Sequence, residues 1–338
     1  MKALFIGGTG TISMAITRRI ANDSRWELYL LNRGNRVSEI PANVNLIQAD
    51  INDEAAVLEK IGDINFDVVC DFICFTKEQI ERDYRLFSGR TNQFMFISSA
   101  SAYHKPVMDY RITEGTSLIN PHWEYSRNKA ACERFLMEKY ETEGFPVTIV
   151  RPSHTYDERS IPLGIHGKNG SWQVVKRMLE GKPVLIQGDG TSLWTMTFNE
   201  DFAKGFVGLM GNAHAIGEAF HITSDESLTW NQIYQSIANA LGVPFKPYYV
   251  SSEFLASTAP EYDFEGSLIG DKSNSVVFDN SKIKRIVPEF VCTTRYDMGV
   301  RKCIDYILAH KEAQKDDDEF DKYCDKVIEV LEKAKSEF

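Results

Sequence analysis

Seven residues near the amino end, Gly7-Gly8-Thr9-Gly10-Thr11-Ile12-Ser13, stand between the apolar run Ala3-Leu4-Phe5-Ile6 and a stretch with helical spacing. Glycines at such a junction allow a tight turn and bring backbone N–H groups at a helix N-terminus up to an anion. With a strand before it and a helix after it, the run fits the fingerprint that cradles the pyrophosphate of a nicotinamide dinucleotide. Gly7, Gly10, Thr11 and Ile12 are its candidate contacts. The third glycine position, which permits close helix–strand packing, holds Ser13, small enough to serve. A second apolar run ends in Leu31-Asn32-Arg33-Gly34-Asn35-Arg36. An acidic residue there would bind the ribose 2′-hydroxyl of NAD, whereas arginine accommodates the 2′-phosphate of NADP. Asn32 and Arg33 therefore lean the reading from NAD toward NADP, although Arg33 can stack on the adenine of either. Asp50 and Ile51 follow the third run; the Asp50 carboxylate either accepts a hydrogen bond from the adenine amino group or caps its own loop. Further on, Tyr125-Ser126-Arg127-Asn128-Lys129 sets a tyrosine and a lysine four apart, on one helix face. In a chain with 14 tyrosines that spacing alone carries little weight. Its position carries more, because it follows a fifth apolar run whose end reads Ile97-Ser98-Ser99-Ala100-Ser101-Ala102-Tyr103.

The elements that must hold these residues alternate short apolar strands with helical patterns, the signature of a parallel sheet covered on both faces. Strands are expected at 3–6, 28–31, 44–47, 68–70, 94–97 and 147–150, near-continuous apolar runs that suit burial on both sides. Helices are expected at 11–22 and 125–143. The fold class is thus α/β: a Rossmann, doubly wound parallel sheet over 1–152, with a smaller C-terminal substrate-binding cap. After Arg151-Pro152 the character shifts, and 153–191 and 225–310 read as that cap. Strands near 195–198 and 217–223 suggest that 192–224 returns to the first domain. The charged tail, 311–338, opens with Asp316-Asp317-Asp318-Glu319 and reads as a helix, since acidic residues suit a helix N-terminus.

Composition bounds the rest. The 338 residues are 43% hydrophobic and carry a net charge of −10, without a long basic run, so phosphate backbones should repel the chain. No stretch is apolar for the ~18 residues of a membrane span. Six cysteines are scattered without metal-ligand spacing, which suggests reduced thiols, no metal site and a cytoplasmic setting.

Taken in order, the glycine turn, the Ser-Ser…Tyr strand end, the Tyr-x-x-x-Lys helix and Arg151-Pro152 resemble the extended short-chain dehydrogenase/reductases. Within that superfamily the chain is similar to the NAD-dependent epimerase/dehydratase family, from residue 1 to about residue 305. Gly188-Asp189-Gly190-Thr191 and Asp201-Phe202-Ala203 resemble its second-domain signature. The resemblance implies that Tyr125 is the general acid/base, moving the proton of a substrate hydroxyl as hydride passes to or from the nicotinamide. It implies that Lys129 tunes Tyr125 and holds the nicotinamide ribose, and that Ser99 orients the reacting oxygen. An unperturbed tyrosine has a pKa near ~10, and a lysine ammonium beside it favours phenolate. Tyr103, His154 and Trp194 are the candidate substrate contacts, His166 and Lys168 are candidate lid residues, and Trp123 and Trp172 are read as core. The family also implies a homodimer, paired through helices around Lys77–Phe87 and Tyr125–Tyr140.

Two departures narrow the chemistry. The 4,6-dehydratases of the family carry an Asp-Glu pair after the active-site hydroxyl residue, where this chain has Ala100 and Ser101, so elimination of water is disfavoured. Trp194 stands where the family places an arginine against the substrate diphosphate, and the second arginine is missing around Leu268-Ile269-Gly270-Asp271. Losing both charge-assisted anchors argues against a nucleotide diphosphate. The reading is therefore an epimerase or reductase acting on a hydroxyl or keto group of a small polar metabolite, with sugar derivatives among the candidates. An alternative comes from the glycine-aspartate region and Asn32-Arg33-Gly34, which also resemble chloroplast stem-loop RNA-binding proteins on the same scaffold. The acidic charge and the intact Tyr-x-x-x-Lys argue against RNA as a partner.

Overall fold

A computed structural model describes residues 1–36 and 39–338. Runs of Val, Leu, Ile and Phe, buried on both sides at the centre but only at Ile47 in the edge segment Asn45–Gln48, build the seven strands of the main sheet among the described residues. These are β1 (Lys2–Ile6), β2 (Glu27–Asn32), β3 (Asn45–Gln48), β4 (Val68–Asp71), β5 (Phe94–Ile97), β6 (Val147–Pro152) and β7 (Glu218–Ile222). Their spatial order is β7-β6-β5-β4-β1-β2-β3, parallel throughout. This is a Rossmann sheet, and its order reverses between β1 and β4, where such sheets open a crevice for ligands at their carboxyl ends.

Helices cover both faces. On one side Ile16 and Ile20 of α1 (Ser13–Ala21) share a core with Phe202, Phe206 and Leu209. On the other lie α2 (Glu54–Ile61), α3 (Lys77–Phe87) and α4 (Glu124–Glu143), with Val57, Ile80, Cys132 and Leu136 turned inward. Further along the chain come α5 (Trp172–Leu179), α6 (Asn199–Leu209), α7 (Trp230–Leu241), α8 (Ser252–Thr258), α9 (Ser281–Ile286), α10 (Tyr296–Ala309) and α11 (Asp318–Lys335). The segment 192–224 divides between the two parts. α6 packs on α1 and residues 218–222 form the sheet edge, but Met196–Phe198 pairs with His154–Tyr156 outside the main sheet.

A separate apolar core unites the cap, with Trp230, Tyr234, Tyr296, Ile304 and Phe320 at its centre. The tail belongs to it: Phe320, Cys324 and Val327 of α11 are buried, and the nearly buried Arg177 of α5 reaches Asp321 at 2.7 Å and Asp325 at 2.8 Å. All six cysteines are free thiols, five of them buried. No helix among the described residues is long and apolar enough to cross a membrane.

Candidate active site

The turn between β1 and α1 is built from backbone conformations that only glycine adopts freely. Gly7 and Gly8 have φ of +101° and +89°, and a Cβ on Gly8 would lie 2.6 Å from Leu30 Cδ2. Ser13 does more than fill the third glycine position: its Oγ accepts the Gly10 N–H at 2.9 Å, while Thr17 Oγ1 donates to Gly8 O at 2.8 Å. α1 starts without a side-chain cap and without an acidic residue in its first turn, which leaves N–H groups and the positive end of the helix dipole for an anion.

A groove runs away from this turn toward the end of β2, lined by Gly7, Asn32, Arg33, Asp50, Ile51 and Arg82. Asn32 Oδ1 accepts the Gly34 N–H at 2.8 Å, and the Arg33 side chain is exposed. Asp50 Oδ1 accepts the Asn52 N–H at 2.9 Å, so Asp50 caps its loop and keeps its second oxygen free of that bond. Arg36 bridges back to the turn, its Nη1 donating to Thr9 O at 3.1 Å. In the other direction the cavity over Gly10, Thr11 and Ile12 continues to Ser98, Tyr125 and Lys129. The positive-φ cradle, the uncapped helix and the exposed arginine fit a dinucleotide laid from Arg33 to Lys129.

Tyr125 and Pro152 border this cavity and the next one, whose wall includes Ser99, Lys105, His154, Trp194 and Lys272. β5 delivers Ser98 and Ser99, and α4 delivers Tyr125 and Lys129 across from them. Ser99 Oγ lies 2.8 Å from Ser101 Oγ, which Ser126 Oγ meets at 2.7 Å, so three hydroxyls form a short chain beneath the cavity. Lys129 is buried and donates to Cys74 O at 2.6 Å and Ile97 O at 2.7 Å, with its ammonium 5.8 Å from the Tyr125 ring centre. Burial lowers its pKa. Burial also raises the Tyr125 phenol above its ordinary value, and the Ser99 hydroxyl beside it partly offsets this. Lys129 thus spends two of its N–H donors on carbonyls that fix its position, and Ser99 is the hydrogen-bonding group beside the phenol.

His154 and Trp194 face the cavity together: Trp194 Nε1 donates to His154 Nδ1 at 3.3 Å, and Trp194 stacks on Trp230 with centroids 5.7 Å apart. Desolvation pulls His154 down to about 3, so it is neutral, with the proton on its other nitrogen. Tyr103 is not a cleft residue. The turn at Ala100–Ala102 redirects the chain, and Tyr103 sits 1% exposed in the interior, its Oη accepting from Arg151 Nη1 at 3.2 Å and pairing with His221 Nδ1 at 3.2 Å. Trp123, read as core, lines this second cavity and lies 5.0 Å from Tyr125, centroid to centroid. Trp172 packs on the cap core and donates to Asp316 Oδ1 at 2.9 Å. His166 opens on a neighbouring cavity shared with Thr11 and His154, while Lys168 lies over the Tyr262 ring, 5.7 Å from its centre.

Three charged residues of the cavity wall were assigned to no site in the sequence reading: Lys105, Asp271 and Lys272. Asp271 was noted only for the arginine missing near it. Asn120 ties their segments together, its Nδ2 donating to Ser101 O at 2.8 Å and Gly270 O at 2.7 Å. A charged side chain beside Pro106 and a Gly-Asp-Lys run were the available signals. No metal-ligand set stood out in the sequence, yet buried Asp71, Cys74 and Asp83 place ligand atoms within 4.8 Å of one another. The Arg82 guanidinium, 2.7 Å from Asp83 Oδ1, already supplies a cation there.

Residues 3–223 match the family described as the NAD dependent epimerase/dehydratase family. The chain belongs to that family. Among its relatives is the 2'-dehydrokanamycin reductase of Streptomyces kanamyceticus, 23% identical over 290 residues, which span 86% of this chain and 80% of the relative. Another is the chloroplast stem-loop binding protein of 41 kDa b from Arabidopsis thaliana, 23% identical over 282 residues, covering 78% and 68%. A UDP-glucuronic acid 4-epimerase from Bacillus cereus, solved with UDP-glucuronic acid and NAD, superposes with a TM-score of 0.72 at 20% identity, over 91% of this chain and 99% of that one. The likeness is one of fold, which in this chain is built on the seven-stranded parallel sheet.

Proposed function

We propose that this member of the epimerase/dehydratase family is an NAD(P)-dependent reductase or epimerase acting on a hydroxyl or keto group of a small polar, sugar-like metabolite. One observation carries the reading: Ser99, Tyr125 and Lys129 meet where the groove from the glycine turn opens into the substrate cavity. A nicotinamide dinucleotide, when bound, supplies the hydride donor or acceptor. Tyr125 gives or takes the proton at the substrate oxygen through its Oη, and Ser99 Oγ, set by Ser101, orients that oxygen. Lys129, fixed by Cys74 O and Ile97 O, keeps a positive charge near the ring that favours phenolate as the proton leaves.

Dehydration is not part of the proposal. Ala100 and Ser101 line the cavity, and Asp271, the one carboxylate among its described lining residues, faces Lys105. The exposed Arg33 at the β2 end favours NADP, and NADP in turn favours a reductase that exchanges its cofactor at every turnover. The reductase among the relatives supports this direction. Arg33→Ala is expected to weaken NADP+ binding by about 10- to 100-fold, the loss of one charge-assisted contact, and to leave NAD+ binding nearly unchanged. Isothermal titration of both nucleotides checks it, and an equal loss for the two would remove the NADP preference. We also read α3 and α4 as the faces across which two copies pair; light scattering from a monomer at micromolar concentration would overturn that.

A further inference from the structure

The cavity beyond Tyr125 holds two ammonium groups and little to satisfy them. Lys105 is only 2% exposed, and its nearest carboxylate oxygen, Asp271 Oδ1, is 3.9 Å away, beyond hydrogen-bonding distance. No acceptor lies within hydrogen-bond reach of the Lys105 or Lys272 ammonium among the described residues. The backbone at Lys272 is firmly placed, since its carbonyl accepts from Trp230 Nε1 at 2.9 Å and Ser192 Oγ at 3.2 Å. It ends an eight-residue π-helical stretch, Glu265–Lys272, a distortion often kept where a site needs it. The other acid near Lys272, Asp263, is engaged by Trp123 Nε1 at 2.7 Å. One buried and one half-buried cation thus share one distant carboxylate. Burial holds both lysines below their usual range and pushes Asp271 up, as expected of charges that lack partners.

We propose that this cavity binds a compact substrate bearing an anionic group, a carboxylate or a phosphoryl, held between Lys105 and Lys272. The anion completes hydrogen bonds that the protein leaves open, and a charge-assisted bond to a buried ammonium is among the stronger contacts available. A cationic amine would face two ammonium groups and one carboxylate. The volume, about 300 Å³, is at the small end of ligand sites, and its wall includes Phe278 and Trp194, which stands where the family places an arginine against a diphosphate and is backed by Trp230. The anion site stands on the lysines alone, and only its placement beside the reacting carbon rests on the reading of Tyr125.

The full chain, saturated with NADP+ so that the glycine turn is occupied, is titrated with inorganic phosphate, with acetate and with ethylammonium at constant ionic strength. Tryptophan fluorescence and thermal stability follow the binding. The expected result is a saturable response to phosphate or acetate, the stronger of the two naming the group, and none to ethylammonium. Lys105→Met and Lys272→Met should each weaken the anion response at least about tenfold. Unchanged NADP+ affinity shows that each variant is folded, and Lys272, only half-buried, carries the test should Lys105→Met fail that check. Absence of a saturable anion response in the unsubstituted protein, an equal response in a folded variant, or preference for ethylammonium would overturn the proposal. Failure of the protein to bind NADP+ at all would count against the cofactor reading, and the same anion titrations without nucleotide would still decide the lysine site.

Discussion

Tyr125→Phe is expected to lower turnover on the eventual substrate by about 10²- to 10⁴-fold, the range supplied by a positioned general acid or base. NADP+ affinity should stay as it is. The substitution removes one oxygen and leaves the ring packed against Trp123 and Phe75, so the wall keeps its shape. Its effect therefore falls on the proton and not on the fold. The Ser99–Ser101–Ser126 hydroxyl chain remains in place, yet none of its members has the acidity to replace a phenol. Steady-state kinetics with a parallel nucleotide titration separates the outcomes. Turnover within a few-fold of the unsubstituted protein would show that Tyr125 does not carry the proton.

The second large effect is on stability. Glu133→Ala should cost about 3–5 kcal/mol, because it strips a buried arginine of its partner. Glu133 Oε2 accepts from Arg151 Nη2 at 2.6 Å, its Oε1 accepts from Arg151 Nε at 3.0 Å, and Ser98 Oγ donates to the same Oε1. Both ionic side chains are at most 6% exposed. Arg151 also donates to Tyr103 Oη and to Glu114 O, and neither can neutralise it. Glu133 lies one turn beyond Lys129, so the pair pins α4 to β6 at the depth that sets Lys129. Glu133→Gln, which keeps the shape without the charge, should recover only part of the loss. Urea unfolding measures both, and a cost below about 1 kcal/mol for Glu133→Ala, the value of an exposed pair, would mean that the network is not buried as described.

These residues also show what could be read from the sequence. The sheet was legible because strands covered on both faces are unbroken apolar runs, and β1, β2 and β4–β6 fall where Phe5, Leu30, Val69, Phe96 and Ile149 indicated. The glycine turn was legible because backbone geometry demands glycine at Gly7 and Gly8. The short Met196–Phe198 strand looked like any other, but which partner it takes depends on the cap, and it pairs with His154–Tyr156. Tyr103 was misplaced because three residues of tight turn, invisible as a pattern, decide which way the next side chain points. Arg151 read as part of a motif, and its ion pair with Glu133 joins separate elements that no local spacing connects. The cavity lysines are a stronger case: Lys105 and Lys272 come from segments far apart in sequence, linked through Ser101 O and Gly270 O by Asn120, a residue with no periodic signal of its own.

The measurement that bears most directly on the whole account is a crystal structure of the protein with NADP+. The account predicts the adenosine end against Arg33 and Asp50, the pyrophosphate over Gly7–Ile12, and the nicotinamide end beside Lys129, within reach of Tyr125. A nucleotide whose nicotinamide lies away from Tyr125, or a glycine turn that does not hold the pyrophosphate, would contradict it.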